Sequence, residues 1–121
     1  MHATITFTDI TQPALDLYTL LTASTTPGYS VAQSKNVQQP TISTIARVSY
    51  LSIQASPRNA GSQYVYKGGP DLHNDGSAQG KELAAGIIDV IQGIYDEVHL
   101  SQVYLRASVN GLIANVEWYY A

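Results

Sequence analysis

Apolar residues alternate with polar ones over several short runs of this chain, a pattern that indicates half-buried β-strands. The runs cover residues 4–8, 42–55, 64–66, 87–91, 102–107 and 112–119. Segments rich in Gly, Pro, Asn and Ser separate them, as turns between strands require. We therefore predict about six to eight strands. They form one all-β domain over residues 1–121, an antiparallel β-sandwich or jelly roll with one short N-terminal helix.

The predicted helix follows Thr11. Four apolar residues recur there at the i, i+3, i+4, i+7 spacing of one helix face: Ala14, Leu17, Tyr18 and Leu21. Thr11 is a suitable N-cap and Pro13 suits the first turn, so we expect about three helical turns from this point. This helix is expected to cover one open end of a sheet.

Residues 24–41 carry little apolar mass and show no sustained periodicity. A segment of this length without its own secondary structure is uncommon in a compact domain, and it is usually functional or disordered. We expect an extended arm or long loop here that packs against a neighbouring subunit.

The longest strand pattern, residues 42–55, changes phase along its length. Leu51 and Ile53 share one parity, whereas Val48 has the other. Either the strand is buried on both faces, or a β-bulge near Arg47 switches its register.

Asn110-Gly111 is the strongest hairpin signal in the chain, because both residues suit the positive φ of a type I′ turn. We predict that residues 103–108 and 112–119 pair as an antiparallel hairpin about this turn.

The amino-acid composition indicates which classes of binding partner the protein lacks, namely nucleic acids and membranes. Apolar residues make up 45% of the chain and charged residues only 12%, and the net charge is -3. The six basic residues are scattered singly, so no cationic cluster predicts nucleic-acid binding. The N-terminus lacks a basic region followed by an apolar run, and no apolar stretch is long enough to cross a bilayer. We therefore expect no signal peptide and no membrane partner.

One segment nearly matches a calcium-binding loop. Asp71, Asp75, Gly76 and Glu82 stand at the spacing of that motif, but its third position is His73. We expect a plain polar loop and no metal site.

No nucleophile elbow, phosphate-binding loop or dinucleotide motif occurs, and the chain has no cysteine. His2, His73 and His99 are not at a close metal-binding spacing. The sequence therefore predicts no enzyme activity and no cofactor.

Nine tyrosines stand against one Phe and one Trp. A tyrosine combines apolar area with a hydroxyl that tolerates water, which suits protein interfaces and sugar-binding surfaces. The alternative is that several of these tyrosines cap strand ends at the rim of the core. Alternation along the last strand buries Trp118 and leaves Tyr119 on the opposite face. The candidate interface residues are Tyr29, Tyr64, Tyr66, Tyr119 and Tyr120.

Seven short motifs between residues 45 and 119 carry a family resemblance. They are Leu51-x-Ile53-Gln54-Ala55, Asn59-x-Gly61, Tyr64-Val65-Tyr66-x-Gly68, Asn74-Asp75-Gly76, Leu83-Ala84-Ala85-Gly86, Leu100-Ser101-Gln102-Val103-Tyr104-Leu105 and Val109-Asn110-Gly111. Their order resembles that of small β-structured virion proteins of tailed bacteriophages. The chain departs from that pattern at Lys67 and Gly68-Gly69-Pro70, where a simpler turn is common.

The resemblance implies a capsid decoration, or cement, protein. Such a protein is made in the host cytoplasm and binds as a homotrimer to the outside of the major capsid protein shell, which it stabilises by bridging subunits. Two alternatives stay open. One is a carbohydrate-binding or host-recognition module that uses exposed tyrosines, and the other is a tail or neck adaptor of the virion.

Overall fold

The computed structural model describes residues 2–23, 25–33, 47–70, 72, 80–92 and 98–120. Ten strands and one α-helix lie in these ranges. They are β1 (His2–Phe7), β2 (Leu15–Asp16), α1 (Leu17–Thr22), β3 (Tyr29–Gln33), β4 (Arg47–Ala55), β5 (Val65–Gly68), β6 (Lys81–Leu83), β7 (Ile88–Gln92), β8 (Val98–His99), β9 (Tyr104–Ala107) and β10 (Ile113–Tyr120). A 3-10 turn at Leu100–Gln102 connects β8 to β9.

The strands form two antiparallel sheets, which confirms the predicted all-β sandwich. The larger sheet has the order β3-β1-β10-β4-β7, and β8 also pairs with β4. The smaller sheet has the order β2-β9-β5-β6. Buried residues from both sheets and from α1 make one continuous hydrophobic core. The short helix at the N-terminal side of the chain is present as well.

Strand β10 lies in the middle of the larger sheet and shows the alternation most clearly. Ala114, Val116 and Trp118 are buried, whereas Tyr119 points to the other face and is half exposed. The prediction for the last strand is therefore confirmed.

A β-bulge explains the phase change in β4. Tyr119 of β10 lies opposite Tyr50, but the next residue, Tyr120, lies opposite Val48. Ser49 is the extra residue on β4, and skipping it returns Val48 to the core. Of the two alternatives, the bulge is confirmed, two residues beyond the predicted position at Arg47.

The predicted start of the helix at Thr11 is wrong. Helix α1 begins at Leu17 and is capped by Asp16, whose carboxylate accepts a hydrogen bond from the Thr19 backbone N–H at 3.0 Å. Leu15 instead pairs with Leu105 in the smaller sheet. This sheet pairing overrides the local helical spacing, and the short polar side chain of Asp16 supplies the cap.

The predicted hairpin at Asn110-Gly111 is also wrong. β9 pairs with β2 and β5 in the smaller sheet, whereas β10 pairs with β1 and β4 in the larger one. Gly111 has a φ of +90° but Asn110 does not adopt positive φ, so the turn is not type I′. The backbone of this turn instead bonds to the end of β1, where the Gly111 N–H donates to the Phe7 carbonyl at 2.7 Å. The chain thus crosses between the sheets at this turn.

Three further strands, β3, β6 and the two-residue β8, lie in segments where none was predicted. Tyr29–Gln33, inside the expected arm at 24–41, forms the edge strand β3 and pairs with β1. Residues 34–41 lie outside the described residues. Lys81–Leu83 forms β6, and it pairs with β5 because Gly80 lets the chain approach closely: a Cβ there would overlap the Lys67 carbonyl.

Candidate binding surface on the larger sheet

The outward-facing side of the larger sheet, called here the outer face, is not covered by the smaller sheet. The strand register and the alternation of side chains identify the residues that point to this face. Its members are His2, Thr4 and Thr6 of β1, Ser30 and Ala32 of β3, Tyr50, Ser52 and Gln54 of β4, Ile88 and Val90 of β7, and Ile113, Asn115, Glu117 and Tyr119 of β10. Most of them carry hydroxyl or amide groups, so this surface offers hydrogen bonds with little net charge.

A pair of tyrosines stands at one end of the outer face. The rings of Tyr50 and Tyr119 lie 5.5 Å apart at 51°, and the Tyr119 hydroxyl donates to Glu117 Oε1 at 2.6 Å. The hydrogen bond and the negative charge of Glu117 raise the pKa of Tyr119, because both favour the protonated phenol. The bond also fixes the ring of Tyr119, so the tyrosine presents an oriented aromatic surface to solvent.

A hollow of about 330 Å³ lies on the outer face. It is lined by His2, Ser52, Gln54, Ile88, Asn115, Val116 and Glu117. Ser52 is only 8% exposed, and its hydroxyl is a candidate hydrogen-bond partner for a ligand in this hollow.

The exposed apolar residues concentrate on one side of the molecule. Ile87, Ile88, Val90 and Tyr119 are the large apolar side chains that are about half exposed, at 50%, 55%, 50% and 50%. Three of them belong to β7 or directly precede it. The run 87–91 predicts a strand, and its apolar residues at both parities around Asp89 are the sequence signal for a strand with exposed apolar side chains.

Asp89 is the inward-facing residue between Ile88 and Val90, and it ties β7 to the smaller sheet. Its carboxylate is buried and forms ion pairs with Lys67 of β5 and with Lys81 of β6, the latter at 2.7 Å. Burial alone would raise the pKa of Asp89, but the hydrogen bonds and charges of the two lysines outweigh it and hold that pKa below its usual value. The ion pairs fix β7 at the edge of the sandwich.

The candidate interface tyrosines are dispersed in the fold. Tyr119 lies on the outer face, and Tyr120 ends the same strand. Tyr29 packs its ring on Phe7 at 5.6 Å, at the opposite edge of the larger sheet. Tyr66 belongs to β5 of the smaller sheet and is only 6% exposed, and Tyr64 directly precedes that strand.

The burial of Tyr66 has a clear cause. The Arg106 guanidinium stacks over the Tyr66 ring, 4.5 Å from its centroid, and Arg106 is itself buried. Tyr66 is thus a structural partner of Arg106, whereas Tyr119 is the most exposed of the four candidate tyrosines whose side chains the structure describes.

Most of the calcium-like loop at 71–82 lies outside the described residues, as does His73. Within the described ranges, no group of three or more His, Asp or Glu side chains is arranged to hold a metal ion. In the same part of the chain, no helix is long and apolar enough to span a membrane.

Comparison with known proteins gives no match: no family model, no curated protein and no solved structure matches this chain.

Proposed function

We propose that this protein is a capsid decoration protein that binds the outside of a phage shell through its outer face. The observation that carries the proposal is the grouping of the exposed large apolar side chains on β7 and on Tyr119 of β10. Exposed apolar patches with polar surroundings mark protein interaction sites. The sequence resemblance gives the shell as the partner.

The mechanism is burial of surface at repeated contacts. Each aliphatic side chain that moves from water into a contact contributes favourably in proportion to its buried apolar area. The surrounding hydroxyl and amide groups supply hydrogen bonds with little charge to desolvate. One weak contact per copy is sufficient when contacts on neighbouring shell subunits are linked, because avidity multiplies them.

The copy number in virions tests this function. Quantitative mass spectrometry of particles from the phage that encodes the chain should find on the order of hundreds of copies, as shell binding at repeated sites requires. A few copies would instead indicate the tail or neck adaptor, and absence from the particle would refute a virion role.

Rebinding to stripped particles tests the surface. Ile88→Lys places a charge in the apolar patch and should abolish rebinding. Ala32→Lys is the matched control, because Ala32 is exposed on β3 at the opposite edge of the same sheet, and it should rebind like the wild type. Equal rebinding of both variants would contradict the proposed contact.

A second candidate function is carbohydrate binding, and the polar lining of the hollow on the outer face, where Tyr119 is also exposed, favours it. Sugar recognition combines an aromatic surface for stacking with several hydroxyl, amide or carboxylate partners, and the hollow supplies Ser52, Gln54, Asn115 and Glu117. Its volume falls at the lower end of the about 300–1,000 Å³ that is usual for ligand sites.

A glycan array with purified protein tests this second function. Binding to a defined sugar should be lost in Tyr119→Ala and weakened in Ser52→Ala, while Ser30→Ala on β3 should leave it unchanged. An array without specific binding would exclude the carbohydrate function and leave the shell proposal standing.

A further inference from the structure

We propose that two copies of this chain associate by antiparallel pairing of their β7 strands across a two-fold axis. The larger sheets of the two copies then continue into one another. This inference concerns self-association, and it stands independently of what the outer face binds.

The first support is the direction of the free backbone groups of β7. The Ala55 N–H donates to the Ile87 carbonyl at 3.1 Å, which sets the phase of the β4–β7 ladder. In an antiparallel pair every second residue directs its N–H and C=O toward the partner strand. Asp89 therefore bonds to β4, while Ile88 and Val90 direct their N–H and C=O outward, away from β4. β7 is the last strand in the order of the larger sheet among the described residues.

The second support is self-complementarity. A two-fold axis beside Asp89 puts Ile88 of one copy opposite Val90 of the other, and Val90 opposite Ile88. Both residues of each pair have outward-directed groups, so the two pairs make four ladder hydrogen bonds. Their side chains, each about half exposed in the single chain, meet in one aliphatic cluster on the outer face.

The third support is charge. The same register brings the two Asp89 residues opposite each other on the inner side, and like charges in that position normally destabilise a strand pair. Here each carboxylate is already held by Lys67 and Lys81, and the side chain of Lys81 is 59% exposed. Lys81 lies at the edge where it can bridge both carboxylates. The negative charge of Asp89, which would otherwise prevent the pairing of two edge strands, is thus neutralised by the lysines.

The position of the two-fold axis determines the size of the exposed outer surface and the strength of the dimer contact. A two-fold axis perpendicular to the sheet keeps both outer faces on the same side of the dimer and doubles that surface. A short strand pair buries less than the about 1,600 Å² of a standard interface. We therefore expect an association that depends on protein concentration, between a 13.1 kDa chain and a dimer of twice that mass.

Sedimentation velocity over a range of concentrations tests the proposal with Val90→Pro. Proline removes the outward N–H of Val90 but no bond to β4, so the variant should fold and should lose two hydrogen bonds of the dimer by symmetry. We expect the association to weaken by about tenfold or more. The matched control is Val90→Thr, which keeps the backbone donor and the β-branched shape and should still dimerise.

Amide hydrogen exchange of the wild-type protein gives a second readout that needs no variant. Protection of the Ile88 and Val90 amides should rise with protein concentration, while that of the Asp89 amide, already bonded within the chain, should change less. A protein that is monomeric at every concentration would overturn the proposal. So would a trimer or dimer that folded Val90→Pro leaves unchanged.

Discussion

The two long edges of the larger sheet are both tied to the smaller sheet, but by different chemistry. At the β3 edge the Tyr29 hydroxyl donates to the backbone carbonyls of Pro13, at 3.1 Å, and Leu105, at 3.3 Å. At the β7 edge the tie is ionic, from Asp89 to Lys67 and Lys81. One tie is therefore neutral and the other depends on charge.

The edges also differ in what they expose. The exposed positions of β3 are Ser30 and Ala32, and the Gln33 side chain bonds to the Leu21 carbonyl of α1 at 2.6 Å. The exposed positions of β7 are the aliphatic Ile88 and Val90. Proteins usually protect edge strands with polar residues or covering segments. The β3 edge has such protection, whereas β7 exposes aliphatic residues that the proposed pairing of two β7 strands would cover.

The largest loss of stability is expected at Trp118, because its strand β10 lies in the middle of the larger sheet, between the two edges. Trp118→Ala empties a fully buried site and should lower the free energy of unfolding by about 3–5 kcal/mol. Urea denaturation measures it. Tyr119→Ala on the outer face of the same strand should cost much less, and equal losses would show that Trp118 is not part of the core.

Breaking the ionic tie should have the next largest effect. Asp89→Asn leaves the partly buried Lys67 without its carboxylate and should lower the free energy of unfolding by about 1–3 kcal/mol at neutral pH. Glu82→Gln, an exposed acid on β6, is the control and should change it little.

The same variant should change the response to acid. The folded-state pKa of Asp89 is lowered, so its contribution to stability is present above the unfolded-state pKa and is lost as pH falls through the folded-state value. Denaturation curves from neutral pH to about pH 2 should therefore fall less steeply for Asp89→Asn than for the wild type. Parallel curves would contradict the ionic tie.

Removing the neutral hydrogen bonds of Tyr29 should lower the stability by a smaller amount. The pH dependence of that loss should appear in alkali rather than in acid. Tyr29→Phe removes the hydroxyl bonds of the β3 edge and should cost about 0.5–1.5 kcal/mol. Burial raises the pKa of Tyr29, so its contribution is present below the unfolded-state pKa and is lost as pH rises through the folded-state value. Stability in alkali should decline less in Tyr29→Phe, and an unchanged alkaline decline would count against this assignment.

The smallest effect on stability is expected at the exposed face of β7. Ile88→Thr keeps a β-branched side chain and should change the free energy of unfolding by less than about 0.5 kcal/mol. Retention on a hydrophobic-interaction column should nevertheless fall clearly, because the patch loses an exposed aliphatic group. Ala32→Thr on β3 should alter neither quantity, and a similar fall in its retention would remove the contrast between the edges.

Local pattern was sufficient for much of the fold. Alternation alone separates buried Trp118 from exposed Tyr119, because side-chain direction along a strand has a period of two. The phase change at Val48 likewise required a bulge or a two-sided strand, and β4 has the bulge. The candidate binding surface was harder to predict from the sequence. Ser52 and Val90 lie next to each other only because β4 and β7 pair, and no spacing in the sequence specifies that register.

By itself, the sequence determined the fold class and the alternation of the longer strands, since these depend on neighbours in the chain. The tertiary structure decided which strands pair. Leu105 of β9 and Ala114 of β10 lie on either side of the same turn and both are buried in the core, yet β9 belongs to the smaller sheet and β10 to the larger one, because burial is satisfied equally from either side of a sandwich. Only that assembly brought Asp89 to two lysines and placed Ile88 and Val90 on the last strand of the larger sheet among the described residues.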